Sequence, residues 1–470
     1  MALAAAGACT AFVAACSTGE PARPARVSPR VETRDFGSGA RLRARAWDVD
    51  GALLLRDFFD VERDEPCAFL EDGLARIGPG RAYYCLPLGM AVHDAGSGPF
   101  ADRRCTVPVA LASFAGPSAY ALVRPVDACA SAPEVRRAGA ARATFPWVLA
   151  GNRCVRSPTE LVVQELGDVV PLESFVRAEE HVEDRGSRIG ALVVRSPDGA
   201  WQTVGGFDRQ RGFAVRAESP SGAPARWVPS RVAFQGAGEV LFADDACTSP
   251  VPTKIARDAL CPLEAALVFT DPCGGTSWFE LGPPVDASTL FAPSDLGFCS
   301  RGARPGVFAF TLGAPIAPES LAPVSFSEVG GDVVRRRGFA GVGGSVVTWG
   351  DVIDARTREP CAPATAIDGV VRCLPTASAT IDLFADASCI DPAFAEPISP
   401  CGEVPSRRFV RADEPDGARV FEVTGEATAL HRLDGDACTR VTPIVPSRGY
   451  AVREVDVAGF VPALERELPP

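Results

Sequence analysis

Two sets of aspartates recur along the chain, and carboxylates with this spacing could form a binding site. Carboxylates gathered in one cavity could bind calcium or the hydroxyl groups of a sugar. Aspartate beside a strand also caps turns by accepting hydrogen bonds from its own backbone, and the recurrence favours this structural role. The first set precedes a cysteine by three residues. The two sets are Asp102, Asp244 and Asp386, and Asp60, Asp208 and Asp354.

Other catalytic patterns are incomplete. HDAGSG, residues 93–98, holds His, Asp and Ser, but its glycines indicate a loop and sequence neighbours do not make a triad. DVDG, residues 48–51, begins like a calcium loop without the later acidic ligand. GVGG, residues 341–344, resembles part of a dinucleotide fingerprint but lies among predicted strands. We therefore assign no catalytic residue and no cofactor, and we do not expect an enzyme.

The first set of aspartates belongs to an internal repeat. FADRRCTVP begins at Phe100, FADDACTSP at Phe242 and FADASCIDP at Phe384, so the interval is 142 residues each time. Short apolar segments between turn residues predict about eight strands per repeat. The sequence thus predicts an all-β fold, a six-bladed β-propeller-like ring made from three two-blade repeats. Three tandem β-sandwich or barrel modules are the alternative.

The N-terminal residues predict export and a lipid anchor. Residues 1–16 read as a lipoprotein signal peptide, because Val13-Ala14-Ala15-Cys16 has the form of a lipobox that ends at the acylated Cys16. The segment before it contains no Lys or Arg, which indicates either an atypical signal or a start further upstream. Residues 17–39 predict a flexible tether. The repeats then span residues 40–180, 181–330 and 331–470, and we expect the protein at the outer membrane or cell surface.

Sixteen cysteines predict an oxidising compartment and a set of disulfide bonds. The first and third repeats each hold two cysteines where the second has Val215 and Trp227. Since disulfide partners tend to be lost together, we expect the bonds Cys67–Cys85 and Cys361–Cys373.

The remaining cysteines allow a less decisive assignment. If the cysteine of each FAD stretch pairs with the last one of its repeat, Cys261 is left to pair with Cys273. Cys129 and Cys401 then bridge distant repeats or stay free. The bonds expected on this assumption are Cys105–Cys154, Cys247–Cys299 and Cys389–Cys438.

Metal and nucleic acid are not expected as ligands. The chain has only three histidines, His93, His181 and His431, and no close CxxC pair, so structural zinc is disfavoured. The net charge of -12 argues against nucleic acid, because phosphate binding needs a basic face.

The lipobox, the CLP motif at Cys85 and Cys373, the FADxxC stretches and the cysteine-rich repeats resemble an uncharacterised group of secreted lipoproteins of GC-rich Gram-negative bacteria. The resemblance covers nearly the whole chain and implies no activity.

From these patterns we expect a surface-anchored lipoprotein of the cell envelope with a non-enzymatic binding or scaffolding role. Its partners would be the membrane, through the N-terminal lipid, and a glycan or an envelope protein as ligand. The alternative is an extracellular polysaccharide hydrolase or lyase on a β-propeller, which would use carboxylates in a central channel. A purely structural envelope component is a third interpretation.

Overall fold

β-Strands make up nearly all of the regular structure in the computed structural model, which confirms the all-β prediction. Arg34–Pro470 form one compact unit. The structure describes residues 35–69, 76–77, 82–95, 98–113, 116–124, 133–150, 153–218, 224–230, 232–235, 241–251, 253–255, 265–269, 276–286, 289–293, 299–301, 307–398, 407–435, 437–441 and 447–470.

The first third of the chain contains fifteen described strands. A short 3₁₀ turn, Leu172–Ser174, precedes the last of them. The strands are β1 (Phe36–Gly37), β2 (Leu42–Val49), β3 (Ala52–Asp60), β4 (Glu65–Ala68), β5 (Arg76–Ile77), β6 (Ala82–Tyr84), β7 (Leu86–Pro87), β8 (Ala91–Asp94), β9 (Val109–Leu111), β10 (Tyr120–Arg124), β11 (Glu134–Thr144), β12 (Trp147–Ala150), β13 (Arg153–Arg156), β14 (Leu161–Val170) and β15 (Arg177–Glu183).

The second third repeats this order, again with a 3₁₀ turn, Pro318–Ser320, before its last strand. Its described strands are β16 (Ile189–Arg195), β17 (Trp201–Asp208), β18 (Phe213–Glu218), β19 (Arg226–Pro229), β20 (Val232–Gln235), β21 (Leu241–Phe242), β22 (Pro250–Val251), β23 (Thr253–Ile255), β24 (Ala265–Phe269), β25 (Thr276–Val285), β26 (Phe291–Pro293), β27 (Cys299–Arg301), β28 (Val307–Ile316) and β29 (Val324–Gly330).

The last third ends in the same way, with the 3₁₀ turn Val457–Gly459 before the final strand. Its described strands are β30 (Val334–Gly341), β31 (Val346–Asp354), β32 (Pro360–Thr365), β33 (Val371–Pro375), β34 (Leu383–Phe384), β35 (Pro392–Pro397), β36 (Phe409–Ala412), β37 (Arg419–Ala427), β38 (Leu430–Asp434), β39 (Ala437–Val441), β40 (Ser447–Val455) and β41 (Leu464–Glu467).

Each repeat opens with an antiparallel meander whose first strand follows the 3₁₀ turn of another repeat, and the first repeat takes this strand from the end of the third. The three meanders run β41-β2-β3-β4-β7, β15-β16-β17-β18-β19 and β29-β30-β31-β32-β33. In the first meander β41 pairs with β2, from Asp48 opposite Leu464 to Arg45 opposite Glu467. The last strand of the chain therefore completes the first sheet and covers an edge that would otherwise be exposed.

The three meanders pack against one another through buried apolar side chains. Ala44 and Phe58 of the first meander share a cluster with Val194 of the second. On its other side the first meander packs Val49 against Val334 of the third. A cluster around Trp227 and Val347 joins the second meander to the third. Each meander thus contacts both others, through three separate apolar clusters.

The second half of the first and second repeats closes into a barrel, whereas that of the third forms the seven-stranded sheet β36-β37-β40-β35-β34-β38-β39. The closed barrels β8-β9-β14-β11-β10 and β20-β23-β28-β25-β24 each contain one parallel pair, β8 with β10 and β20 with β24. In the described part of the third repeat the parallel contacts are two isolated bridges, Ser378 with Arg411 and Ala366 with Ala418. The six-bladed arrangement is not confirmed, because in the first two repeats these strands close into barrels instead of forming further open blades.

Glycines allow the long barrel strands to cross closely. The pairing of β25 with β28 shifts register twice, and β-bulges of this kind increase the local bend and twist of a sheet. A Cβ atom at Gly282 would lie 2.6 Å from the carbonyl oxygen of Thr311, and one at Gly313 would lie 2.8 Å from that of Glu280. Residues with side chains would push the two strands apart at these points.

Candidate binding surface

Five disulfide bonds occur among the described residues, and each joins two cysteines that the comparison of the repeats predicted to pair. They define an oxidising compartment, periplasmic or extracellular, as the place where the folded chain is found. The bonds are Cys67–Cys85, Cys105–Cys154, Cys247–Cys299, Cys361–Cys373 and Cys389–Cys438. The predicted bond Cys261–Cys273, the cysteines Cys129 and Cys401, and the predicted lipid site Cys16 lie outside the described residues.

In the part of the chain that the structure describes, no helix has the length and apolar character needed to span a membrane.

The carboxylate of Asp102 stabilises the loop in which this residue lies. Its carboxylate accepts hydrogen bonds from the backbone N–H groups of Thr106 and Val107, both at 2.8 Å, and from the Thr106 hydroxyl at 2.8 Å. Cys105 in the same loop adopts a left-handed conformation, with φ of 52°. The hydrogen bond from Val107 contributes most to lowering the pKa of Asp102 to about 2. This aspartate is therefore ionised and fully engaged in shaping its loop.

The corresponding aspartates do the same in the other two repeats. Asp244 accepts a hydrogen bond from the backbone N–H of Thr248 at 2.9 Å, the largest cause that lowers its pKa to about 2. Asp386 accepts from Ile390 and Asp391 at 2.9 Å each, and the bond from Asp391 does most to lower its pKa. The first set of aspartates thus has a structural role and does not form one cavity.

The second set of aspartates forms buried ion pairs. Asp60 accepts two hydrogen bonds from the guanidinium of Arg41, at 2.8 and 2.7 Å, and Arg41 also donates to the carbonyl of Ser174 at 3.3 Å. Asp208 makes the equivalent pair with Arg188. Each pair ties the start of a meander to the 3₁₀ turn that ends the same repeat. A buried carboxylate needs such a partner, because burial without one is costly.

In the third repeat the guanidinium comes from another position. Val333 precedes β30 where an arginine precedes β2 and β16, and Arg356 takes over by donating to Asp354 at 2.6 Å and to the carbonyl of Gly459 at 3.1 Å. Burial raises the pKa of Asp354, but the hydrogen bonds from Arg356 outweigh it and the pKa is lowered. The third repeat therefore has the same ion pair, with its arginine at a different position in the sequence.

The incomplete catalytic patterns also have structural roles. His93 is buried in the first barrel with Nδ1 2.9 Å from the carbonyl oxygen of Val109, and burial lowers its pKa. Asp50 accepts hydrogen bonds from the backbone of Val333 and Val334, so the DVDG turn docks on the third repeat. The GVGG stretch is the turn between β30 and β31. Among the described residues, no group of His, Cys, Asp and Glu side chains is arranged to hold a metal ion.

In each repeat a disulfide bond ties the FAD loop to a neighbouring two-stranded hairpin. The hairpins are β12–β13, β26–β27 and β38–β39, and each carries the second cysteine of its bond. We call these elements the tied hairpins. Their described residues are 101–108, 147–150 and 153–156 (tied hairpin 1), 243–250, 291–293 and 299–301 (tied hairpin 2), and 385–392, 430–435 and 437–441 (tied hairpin 3).

Tied hairpin 1 differs from the others in its charge. Arg103, Arg104, Arg153 and Arg156 are all exposed, and within the described part of the chain none of them forms an ion pair with an acidic side chain. The guanidinium of Arg156 lies over the ring of Phe145, 5.1 Å from its centroid. Sequence reasoning missed this group because its arginines come from two stretches. Combining the expected Cys105–Cys154 bond with the charges beside each cysteine would have found it.

Taken together, the fold and these sites define a class of all-β protein built from three disulfide-bonded repeats. Residues 165–393, just under half of the chain, match a protein family of unknown function, DUF7481. The matched segment contains the second repeat and the meander of the third. No curated protein and no solved structure matches the chain.

Proposed function

We propose that the protein is an exported, lipid-anchored lipoprotein of the bacterial cell envelope with a non-enzymatic binding or scaffolding role. The observation that carries this proposal is the set of three tied hairpins on one closed scaffold. Loops that bear function are commonly held by a rigid framework, and here disulfide bonds hold each loop against its hairpin. This rigid arrangement supports binding at fixed positions without a conformational change.

The exposed apolar side chains of the hairpins support a role in contact with other molecules. Val107 is 51% exposed and Ile390 is 73% exposed, and both stand in the disulfide-tied loops. Leu433, on tied hairpin 3, is 52% exposed. Apolar groups held at such positions offer contact area to a ligand or partner.

The anchor completes the proposal. The described body begins at Asp35, which accepts hydrogen bonds from Arg336 at 3.0 and 2.8 Å, and Phe36 behind it is fully buried. The predicted tether of residues 17–39 is shorter than expected, because residues 35–39 belong to the folded body. A lipid on Cys16 would hold this body to the outer membrane through residues 17–34. The FAD loops and hairpins would then face the envelope or the medium.

Fractionation and binding test the proposal together. The full chain is produced in a Gram-negative host with an alkyne fatty acid, and Cys16→Ala is the matched variant. Label and membrane retention in the wild type, both lost in the variant, support the anchor. Unlabelled wild-type protein in the soluble fraction contradicts it.

Binding is then measured with purified envelope polysaccharide and protein fractions, while new reducing ends and unsaturated sugars are assayed. Retention without turnover supports the binding role. Turnover would instead establish the alternative, a polysaccharide hydrolase or lyase. Neither retention nor turnover would leave a purely structural component and overturn the binding role.

A further inference from the structure

We propose that tied hairpin 1 binds an anionic polysaccharide through Arg103, Arg104, Arg153 and Arg156. The inference rests on the proposed binding role and names the class of ligand. The negatively charged groups of such a polymer, carboxylate, sulfate or phosphate, are the partners that guanidinium groups recognise best.

The disulfide bond brings the four arginines together. Arg104 precedes Cys105 and Arg153 precedes Cys154, and the Cα atoms of these two cysteines are 5.8 Å apart. Arg156 lies three residues further along β13, about 10 Å from Arg153 at the rise of an extended strand. Arg153 and Arg156 are an odd number of positions apart, so their side chains lie on opposite faces of β13. The four arginines therefore surround one disulfide bond, which suits an extended ligand with repeated charges.

None of these arginines forms an ion pair with an acidic side chain in the described part of the chain. The acid within tied hairpin 1 is Asp102, whose oxygens already accept hydrogen bonds from the backbone of Arg104, Thr106 and Val107. Four positive charges against one negative charge make a local basic field on a chain of net charge -12. Unpaired guanidinium groups keep all their donors available for a ligand.

The other two tied hairpins lack this field although their scaffold is the same. The position of Arg156 holds arginine in all three repeats, as Arg301 and Arg440 in the other two, so the difference lies at the remaining positions. The positions of Arg103 and Arg104 hold Asp245 and Ala246 in the second repeat and Ala387 and Ser388 in the third, and Ala437 stands at the position of Arg153 in the third.

The surroundings favour a polysaccharide over other polyanions. Phe145 is 39% exposed beneath Arg156, and Val155 is 40% exposed on the same strand, so apolar surface lies beside the charges. Sugar rings present apolar faces as well as anionic groups, and an aromatic ring suits such a face. Oxidised disulfide bonds place the hairpin outside the cytoplasm, where envelope and extracellular glycans occur and nucleic acid is scarce.

The test uses the full-length protein in detergent, with polygalacturonate as the carboxylated probe, dextran sulfate as the sulfated probe and neutral dextran as the blank. We expect binding to at least one polyanion that weakens as salt rises. Arg104→Glu with Arg153→Glu should weaken it at least about tenfold, because two contacts become repulsive. The matched control, Arg432→Glu with Arg440→Glu on tied hairpin 3, makes the same charge change and should weaken it less than about twofold.

Melting temperature and disulfide mapping establish that both double variants are folded. Equal weakening in the two variants would overturn the site, because it would reflect net charge alone. Stronger binding to vesicles of phosphatidylglycerol than to either polyanion would replace the polysaccharide with a membrane surface. A wild-type protein that binds envelope fractions but no polyanion would overturn the anionic ligand and leave the broader binding role standing.

Discussion

Gly206 provides the space that the indole ring of Trp227 occupies. A Cβ atom at Gly206 would lie 2.9 Å from Cζ3 of Trp227 and 3.1 Å from Cγ2 of Val215. Trp227 is fully buried, and its Nε1 donates a hydrogen bond to the carbonyl of Ala340 at 3.4 Å. The glycine and the tryptophan thus form one packing unit between the second and third meanders.

The other repeats fill the same place with a larger residue and a disulfide bond. Phe58 pairs with Cys67 across β3 and β4, and Val352 pairs with Cys361 across β31 and β32, as Gly206 pairs with Val215. In the second repeat, which lacks this bond, the side chain of Trp227 fills the space, and glycine replaces the larger residue that faces it. Close packing requires both changes together.

Gly206→Ala should therefore lower the free energy of unfolding by about 1 to 3 kcal/mol, because it overfills the core. Gly205→Ala is the matched control, since its Cβ would meet the carbonyl oxygen of Val215 at an ordinary 3.5 Å. Alanine there should be neutral or slightly stabilising. Urea unfolding of both variants checks this, and equal losses would show that the indole imposes no special limit.

The packing unit should also be transferable. We expect Cys361→Val with Cys373→Trp to destabilise the protein, and the further change Val352→Gly to restore part of the loss. Val352→Gly alone should destabilise, so its effect reverses sign with context and the coupling is about 1 to 3 kcal/mol. Urea unfolding of the four proteins measures this coupling. Strict additivity would contradict it.

The sequence predicted local features better than long-range ones. The bonds Cys67–Cys85 and Cys361–Cys373 could be predicted because each lies within one repeat and the second repeat lacks both cysteines of the pair. The pairing of β41 with β2 and the parallel pairing of β8 with β10 were not foreseen. Alternating apolar residues show that a segment is a strand, but they do not name its partner.

The candidate site was hidden for a related reason. Arg104 and Arg153 are separated by nearly the whole first barrel in sequence, and each stretch alone resembles ordinary surface. The lack of an ion-pair partner for either residue within the described part of the chain is a property of the folded arrangement. Neither stretch of sequence taken alone shows that these arginines lack ion-pair partners.

Removal of residues 463–470 should open the first sheet. Leu468 is buried, and its backbone N–H donates to the carbonyl of Ala44 at 2.9 Å. We expect a loss of at least about 2 kcal/mol from this side chain alone, and aggregation through the exposed edge of β2. Removal of only Pro469 and Pro470 is the control and should change little. Thermal unfolding and light scattering check both, and a stable, monomeric longer truncation would refute the closure.

Acid should loosen the FAD loop of the second repeat. Its Asp244 has a folded pKa of about 2, below the ordinary 3.8, mainly because the Thr248 backbone donates a hydrogen bond. A depressed pKa stabilises the ionised loop above about pH 4, and this stabilisation is lost as pH falls from 4 to 2. Reduction of Cys247–Cys299 by a phosphine, relative to a model disulfide, should therefore accelerate across that range.

Matched variants isolate the contribution of Asp244. Asp244→Asn should give fast reduction already at pH 5 with little further response to acid. Asp245→Asn, at the exposed neighbouring position in the same loop, should behave like the wild type. The same pH response in all three proteins would show that another group controls the loop.

The pairing of β41 with β2 sets an order of folding events. More than four hundred residues separate the two strands, so the other strands of the first sheet are synthesised long before their final partner. The bond Cys67–Cys85 spans only 18 residues and does not require the later repeats. The local disulfide bond can therefore form first and closure of the sheet comes last, so an incomplete chain exposes a strand edge that is prone to aggregation.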